Sequence, residues 1–166
     1  MTRRLAIEPL TAEAFAPFGQ VIEVSERAKH FPINAGMAER YHDLAPVEVR
    51  GDGGKAIISI VRATPVTLPL TLKMVERHPL GSQAFMPLSD RPFLVVVAPD
   101  SGGRPGTPRG FMTRPGQGVN YPPGQWHGVL SALYAVSDFL LVDRGGEAKN
   151  LEEFTFAEPF LVGVAE

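Results

Sequence analysis

Turn-forming residues punctuate this chain at short intervals, and that limits its fold more than any other feature. Gly51-Asp52-Gly53-Gly54, His78-Pro79-Leu80-Gly81, Ser89-Asp90-Arg91-Pro92 and Pro122-Pro123-Gly124 each separate runs of apolar residues. The 17 Gly and 16 Pro among 166 residues are scattered rather than clustered. They therefore mark turns between short elements, not a disordered tract. The runs between them, residues 57–62, 70–78, 83–88, 93–98, 125–130 and 133–143, are rich in β-branched and aromatic residues and predict strands. Residues 5–8 and 21–24 predict two more. A single helix is expected over residues 11–18, with Thr11 as N-cap, Glu13 in the first turn and Gly19 as its stop. The Gly/Pro-rich stretch 99–108 reads as an exposed loop. Many short strands at regular spacing predict a sandwich or a closed barrel.

Composition narrows the function. With a formal net charge of −2 and no Lys/Arg run, the chain lacks the clustered cations that phosphate backbones or anionic membranes require. It has no cysteine, which excludes disulfides, thiolate metal sites and a cysteine nucleophile. Arg3 and Arg4 are followed at once by Glu8, Pro9 and Glu13, so the start does not read as a signal peptide. The longest apolar run, residues 93–99, is too short to span a bilayer. The expectation is one soluble cytoplasmic domain covering residues 1–166.

Strand alternation nominates residues for chemistry. Leu72, Met74, Glu76 and His78 are spaced two apart and so share a strand face. If that face is inward, a carboxylate and an imidazole are buried and need a partner or a ligand. The other outcome is that the strand has reached solvent by residue 76. In Pro122-Pro123-Gly124-Gln125-Trp126-His127, the turn feeds a strand with Gln125 and His127 on one face. Arg62 shares a face with Ile58 and Ile60; it either clamps a carboxylate at a barrel mouth or lies on the surface. Asp138, flanked by Val136 and Leu140, poses the same choice, and Asp143 and Arg144 can pair with each other.

These pieces resemble the cupin pattern. Pro123-Gly124-Gln125-Trp126-His127 matches its second motif, while Glu76, His78 and Gln83 stand at the positions of its first. More closely, Ile33-Asn34-Ala35-Gly36, Glu39 to Ala45, Glu76-Arg77-His78-Pro79-Leu80-Gly81-Ser82-Gln83 with Ala84 to Pro87, Gly118-Val119-Asn120-Tyr121, Trp126-His127, Asp138-Phe139-Leu140 and Asp143-Arg144-Gly145-Gly146 resemble the ureidoglycolate lyase family. The resemblance runs over residues 10–146. It implies an all-β, cupin-like barrel (a double-stranded β-helix or jelly roll) with one or two short helices.

It also implies a homodimeric carbon–nitrogen lyase that cleaves (S)-ureidoglycolate to glyoxylate and urea in allantoin and purine degradation. On that footing His127 or His78 is the base, and Glu76 orients it or acts as acid. Arg62 holds the substrate carboxylate, Tyr121 or Asn34 donates hydrogen bonds, and Gln83 binds the ureido group. Two cofactor expectations stay open: none, or a divalent metal such as nickel held by Glu76, His78, Gln83 and His127. The competing functions are a metal-dependent cupin enzyme of another class and a non-catalytic small-acid-binding cupin. Residues 29–43 are a candidate lid.

Overall fold

The structure is a computed structural model that describes residues 3–163. Its strands, in chain order, are β1 (Arg3–Leu5), β2 (Ile7–Pro9), β3 (Gln20–Ile22), β4 (Lys29–Ile33), β5 (Ala38–His42), β6 (Lys55–Ala63), β7 (Leu70–Arg77), β8 (Gln83–Pro87) and β9 (Phe93–Ala98). They continue with β10 (Asp100–Ser101), β11 (Arg104–Pro105), β12 (Arg109–Met112), β13 (Gly118–Tyr121), β14 (Trp126–His127), β15 (Ser131–Ala132), β16 (Ser137–Gly145) and β17 (Glu152–Val162). The one α-helix among the described residues is α1 (Ala12–Phe15).

Two sheets enclose the core. The larger runs β1-β17-β7-β14-β9-β12-β2, with β15 also on β9; the smaller runs β3-β13-β8-β16-β6. Strand β9 shows why they stack. All six of its residues are buried, and they divide by alternation between two clusters. Phe93, Val95 and Val97 face inward to Phe85, Val119, Tyr121 and Phe139 of the smaller sheet and to Phe15, Phe18 and Phe111. Leu94, Val96 and Ala98 face the other way, to Leu72, Val75, Trp126, Phe156 and Phe160. Burying each large side chain contributes about 1.5–3 kcal/mol. An unbroken apolar run is thus a strand covered on both sides. The result is a nearly closed, cupin-like β-barrel.

Several boundaries differ from the sequence expectation. The helix is one turn, not residues 11–18. Thr11 does cap it, its hydroxyl accepting from the Ala14 N–H at 3.1 Å. Pro17, which has no N–H to donate, then stops it before Gly19. The strand expected over 125–130 shrinks to β14, and that expected over 133–143 becomes β16, starting at Ser137. The stretch 99–108 is exposed in part but carries a small hairpin, Asp100↔Pro105 and Ser101↔Arg104. Residues 29–42 form a second hairpin, β4–β5, whose strands pair only with each other. Leu72 packs with Val75 in the second cluster, so alternation does not run unbroken from Leu72 to Glu76.

Candidate active site

The Pro-Gly turn and the turn after β7 are stitched together. Gly124 adopts φ 80, which a side chain would strain. Its N–H donates to the His78 carbonyl at 2.9 Å. Next to this tie, β14 and β7 pair with His127 opposite Glu76. Sequence positions 76, 78 and 127 therefore converge: one ligand atom from each of Glu76, His78 and His127 lies within 4.8 Å of the others.

Backbone carbonyls orient both imidazoles. His127 Nδ1 lies 2.9 Å from the Gly128 carbonyl, and His78 Nδ1 lies 2.8 Å from the Asn150 carbonyl. A carbonyl only accepts, so each Nδ1 carries the proton and donates. That leaves each Nε2 turned to the cluster, buried and without a protein partner. Glu76 Oε1 sits 3.6 Å from His78 Nε2. Asn150 also fixes the turn itself, its side-chain oxygen accepting from the Leu80 N–H at 2.7 Å. Tyr121 stacks flat on His127, rings 4.2 Å apart at 1°.

The electrostatics separate the two histidines. Burial drives the His127 pKa well below the ordinary value, with the Gly128 carbonyl and Glu76 opposing and His78 reinforcing. His127 is therefore a neutral imidazole at pH 7. For His78, burial also lowers the pKa, but Glu76, the Asn150 carbonyl and Asp143 outweigh it and the net shift is upward. Neighbouring His78 holds Glu76 below the usual carboxylate range, against its own burial and with help from His127. Burial, then Glu76, pushes the Tyr121 hydroxyl up, so it remains a neutral phenol.

Gln83 lies on β8 opposite Tyr121, on the inward face of the smaller sheet. Its Oε1 is buried and unpaired. Asp143 of β16 joins it. The register that sets Val142 against Ala84 brings Asp143 beside Gln83. Burial raises the Asp143 pKa, while the Gln83 amide and His78 pull it down. Asp143 and Arg144 do not pair: Asp143 turns inward, while the Arg144 Nε donates outward to the Arg50 carbonyl at 2.7 Å. Alternation along β16 from the buried Phe139 through Leu141 was the signal for Asp143. Nothing in the sequence marks Asn150 or the Gly128 carbonyl.

Two nominated residues are not part of this cluster. Arg62 lies on the outer face of β6, beside Ile58 and Ile60, which are 74% and 64% exposed. It is bonded bidentately to Asp138, at 2.8 and 3.0 Å. Of the two places its spacing left open, it takes the surface. Asn34 occupies the exposed 3-10 turn at the tip of the β4–β5 hairpin and bonds to none of the cluster residues. A depression of about 700 Å³ beneath that hairpin, lined by Glu13, Arg27, His42 and Arg114 among others, contains none of them either.

The fit to a divalent ion rests on these contacts. Two imidazoles present bare Nε2 lone pairs toward a carboxylate, each with its Nδ1–H anchored on a carbonyl, which is the arrangement of metal-ligating histidines. Glu76, His78 and His127 are thus compatible with a metal.

Comparison with known proteins identifies the family. The family model described as ureidoglycolate lyase matches residues 2–163. A ureidoglycolate lyase of Chelativorans sp. (strain BNC1) is 60% identical over 164 residues, 99% of each chain. One of Mesorhizobium japonicum is 58% identical, covering 95% of this chain and 96% of its own. A ureidoglycolate lyase 2 of Rhizobium meliloti is 56% identical, covering 97% and 98%. Among solved structures, a dTDP sugar isomerase of Desulfovibrio desulfuricans G20 aligns at a TM-score of 0.43 and 17% identity over 82% of this chain and 84% of its own, too slight a likeness to carry an argument. With a family model spanning nearly its whole length and relatives this similar, the chain belongs to the ureidoglycolate lyase family.

Proposed function

We propose that this chain is a ureidoglycolate lyase, releasing glyoxylate and urea from (S)-ureidoglycolate by carbinolamine collapse. The observation that carries the reading is the convergence of Glu76, His78 and His127 with both Nε2 atoms free. In the reaction the C2 hydroxyl loses its proton, its oxygen forms a C=O double bond, and the bond from C2 to the ureido nitrogen breaks. That nitrogen regains a proton and leaves as urea. No water is consumed.

His127 fits the base. It is neutral, its Nδ1–H is fixed, and its Nε2 lone pair faces the cluster. His78, whose pKa is raised beside Glu76, fits the acid that returns a proton to the leaving nitrogen. Tyr121 keeps the His127 ring planar to its own and remains a neutral phenol that can donate. Gln83 offers the ureido group both a donor and an acceptor.

A second reading is favoured by the bare Nε2 pair and by the displacement of Arg62, which leaves no nominated cation for the substrate carboxylate. Here Glu76, His78 and His127, with Gln83 beside them, hold a divalent ion such as nickel, which would bind the carboxylate and hydroxyl and acidify the latter. We further propose that the chain is one domain, works in the cytoplasm, uses no nucleic acid or membrane partner, and forms a homodimer. No described helix is long and apolar enough to cross a membrane.

The deciding experiment incubates purified protein with racemic ureidoglycolate and follows glyoxylate, urea and ammonia, with and without a chelator. Glyoxylate and urea without ammonia is the expected result. Ammonia release would mean hydrolysis of the ureido group and a different reaction class. Stoichiometric metal with loss of turnover on chelation selects the second reading; unchanged turnover selects the first.

A further inference from the structure

We infer that Asp143 and Gln83 form the subsite that recognises the ureido group through its parallel N–H donors, so that Asp143 is a specificity-determining residue of this enzyme. The inference rests on the ureidoglycolate reading and deepens it.

The row Tyr121, Gln83, Asp143 crosses three neighbouring strands of the smaller sheet on their inward face. Across from it stand Glu76 and His127 of the larger sheet, and Tyr121 of the row stacks on His127 with rings 4.2 Å apart. Asp143 is therefore part of the same enclosure as the cluster. Its Oδ1 and the Gln83 Oε1 are both buried acceptors without a protein partner. No Lys or Arg forms an ion pair with Asp143 among the described residues, and its inward neighbour on β16 is the apolar Leu141. Two unpaired acceptors in a buried place are costly unless something donates to them.

A ureido group supplies what is missing. Its two nitrogens each carry an N–H pointing away from the carbonyl, and these two N–H bonds run side by side. Two adjacent acceptors take both at once, in the way a carboxylate takes a guanidinium fork. A hydroxyl or an ester at the same position on the substrate brings at most one donor. Such a compound leaves one buried acceptor empty, which is the strongest form of discrimination a site of this kind has. The cluster of Glu76, His78 and His127 then addresses the other end of the molecule, where the hydroxyl and carboxylate lie. The division assigns glyoxylate to one end of the site and urea to the other.

The two products test this separately. Binding of urea and of glyoxylate to the full-length protein is measured by saturation-transfer NMR, beside the kinetics of ureidoglycolate cleavage. Wild type is compared with D143L, which removes the Asp143 acceptor and leaves only Gln83 Oε1, and D143N, which keeps one side-chain oxygen at position 143. Urea binding should weaken roughly 10- to 100-fold in D143L and less in D143N, with KM for ureidoglycolate rising in step. Glyoxylate binding should stay within about twofold, a difference that general disruption of the site would not produce. On wild-type protein, tetramethylurea, which has no N–H, should fail to compete with urea; this arm needs no variant to fold. Urea binding that is indifferent to Asp143, or tetramethylurea competing as well as urea, overturns the inference. Asp143-dependent urea binding in a protein that releases no glyoxylate from ureidoglycolate supports the subsite and overturns the reaction assignment instead.

Discussion

His127 is tied by its Nδ1 to the next residue's carbonyl and stacked flat on Tyr121, so its ring has little freedom to turn. Removing it deletes the base in one reading and a ligand in the other. His127→Ala should lower kcat by at least about 100-fold. The protein should remain folded, with a thermal transition near that of wild type; a stable variant with full activity would sink the assignment. Strand spacing nominated Glu76 and His78 and the Pro-Gly turn nominated His127, while Gln83 came only from the family resemblance. For Arg62 the strand spacing left both a barrel mouth and the surface open; β6 turns Ile58 and Ile60 out and Ser59 and Val61 in, and Arg62 goes with the isoleucines. Asn150 was illegible because its backbone oxygen does the work, and any residue has one.

Among the elements, β13 and β2 lend themselves to test. Gly118 opens β13 against β8, and a Cβ there would stand 2.4 Å from the Phe85 carbonyl oxygen and 2.7 Å from the Met86 sulfur. The Phe85 oxygen belongs to a strand ladder and cannot give way. Gly118→Ala should destabilise the fold by about 1–3 kcal/mol, read as a lower urea midpoint with unchanged slope.

Strand β2 is pinned to β12 by Glu8, whose carboxylate accepts two bonds from Arg109 at 2.9 and 2.8 Å. The hydrogen bonds from that guanidinium lower the Glu8 pKa, against desolvation by burial. A depressed folded pKa gives stability that is present above the unfolded value of 4.5 and is lost as pH falls through the folded one. Wild type should thus lose stability below about pH 4.5 more steeply than Glu8→Gln, by a few tenths of a kcal/mol up to about 1, because the pair is partly exposed. Equal acid limbs would show that the pair contributes nothing. Strands β6 to β9 and β16 were legible, but β4, β5, β12, β13 and β17, the longest, were not. Glu152, Glu153, Glu158 and Pro159 break the alternation of β17. The structure absorbs that break in a register shift between Thr155 and Phe160, where Pro159 owes no ladder bond.

At the scale of the whole molecule, the outer face of β6 and β16 is the anomaly. Ile58, Ile60, Leu140 and Val142 all lie on it. The exposed Ile58 and Ile60 favour association, which supports the proposed homodimer. Wild type should elute at twice its 18.0 kDa mass, and the double variant I58E/I60E as a monomer. Dimers that persist in the variant would place the interface elsewhere. The larger sheet has a different peculiarity: its two edges are one segment of chain. β1 lies parallel to β17 and β2 lies parallel to β12, with only Ala6 between them. The β1–β2 segment is therefore a clasp whose counterpart, β17, lies at the other end of the described residues. The ring cannot shut until β17 has been made, and β7 waits until then with an open edge. Such distant pairings are slow to form. For this protein the vulnerable moment is its birth, when a half-built barrel has edges to offer to any neighbouring strand.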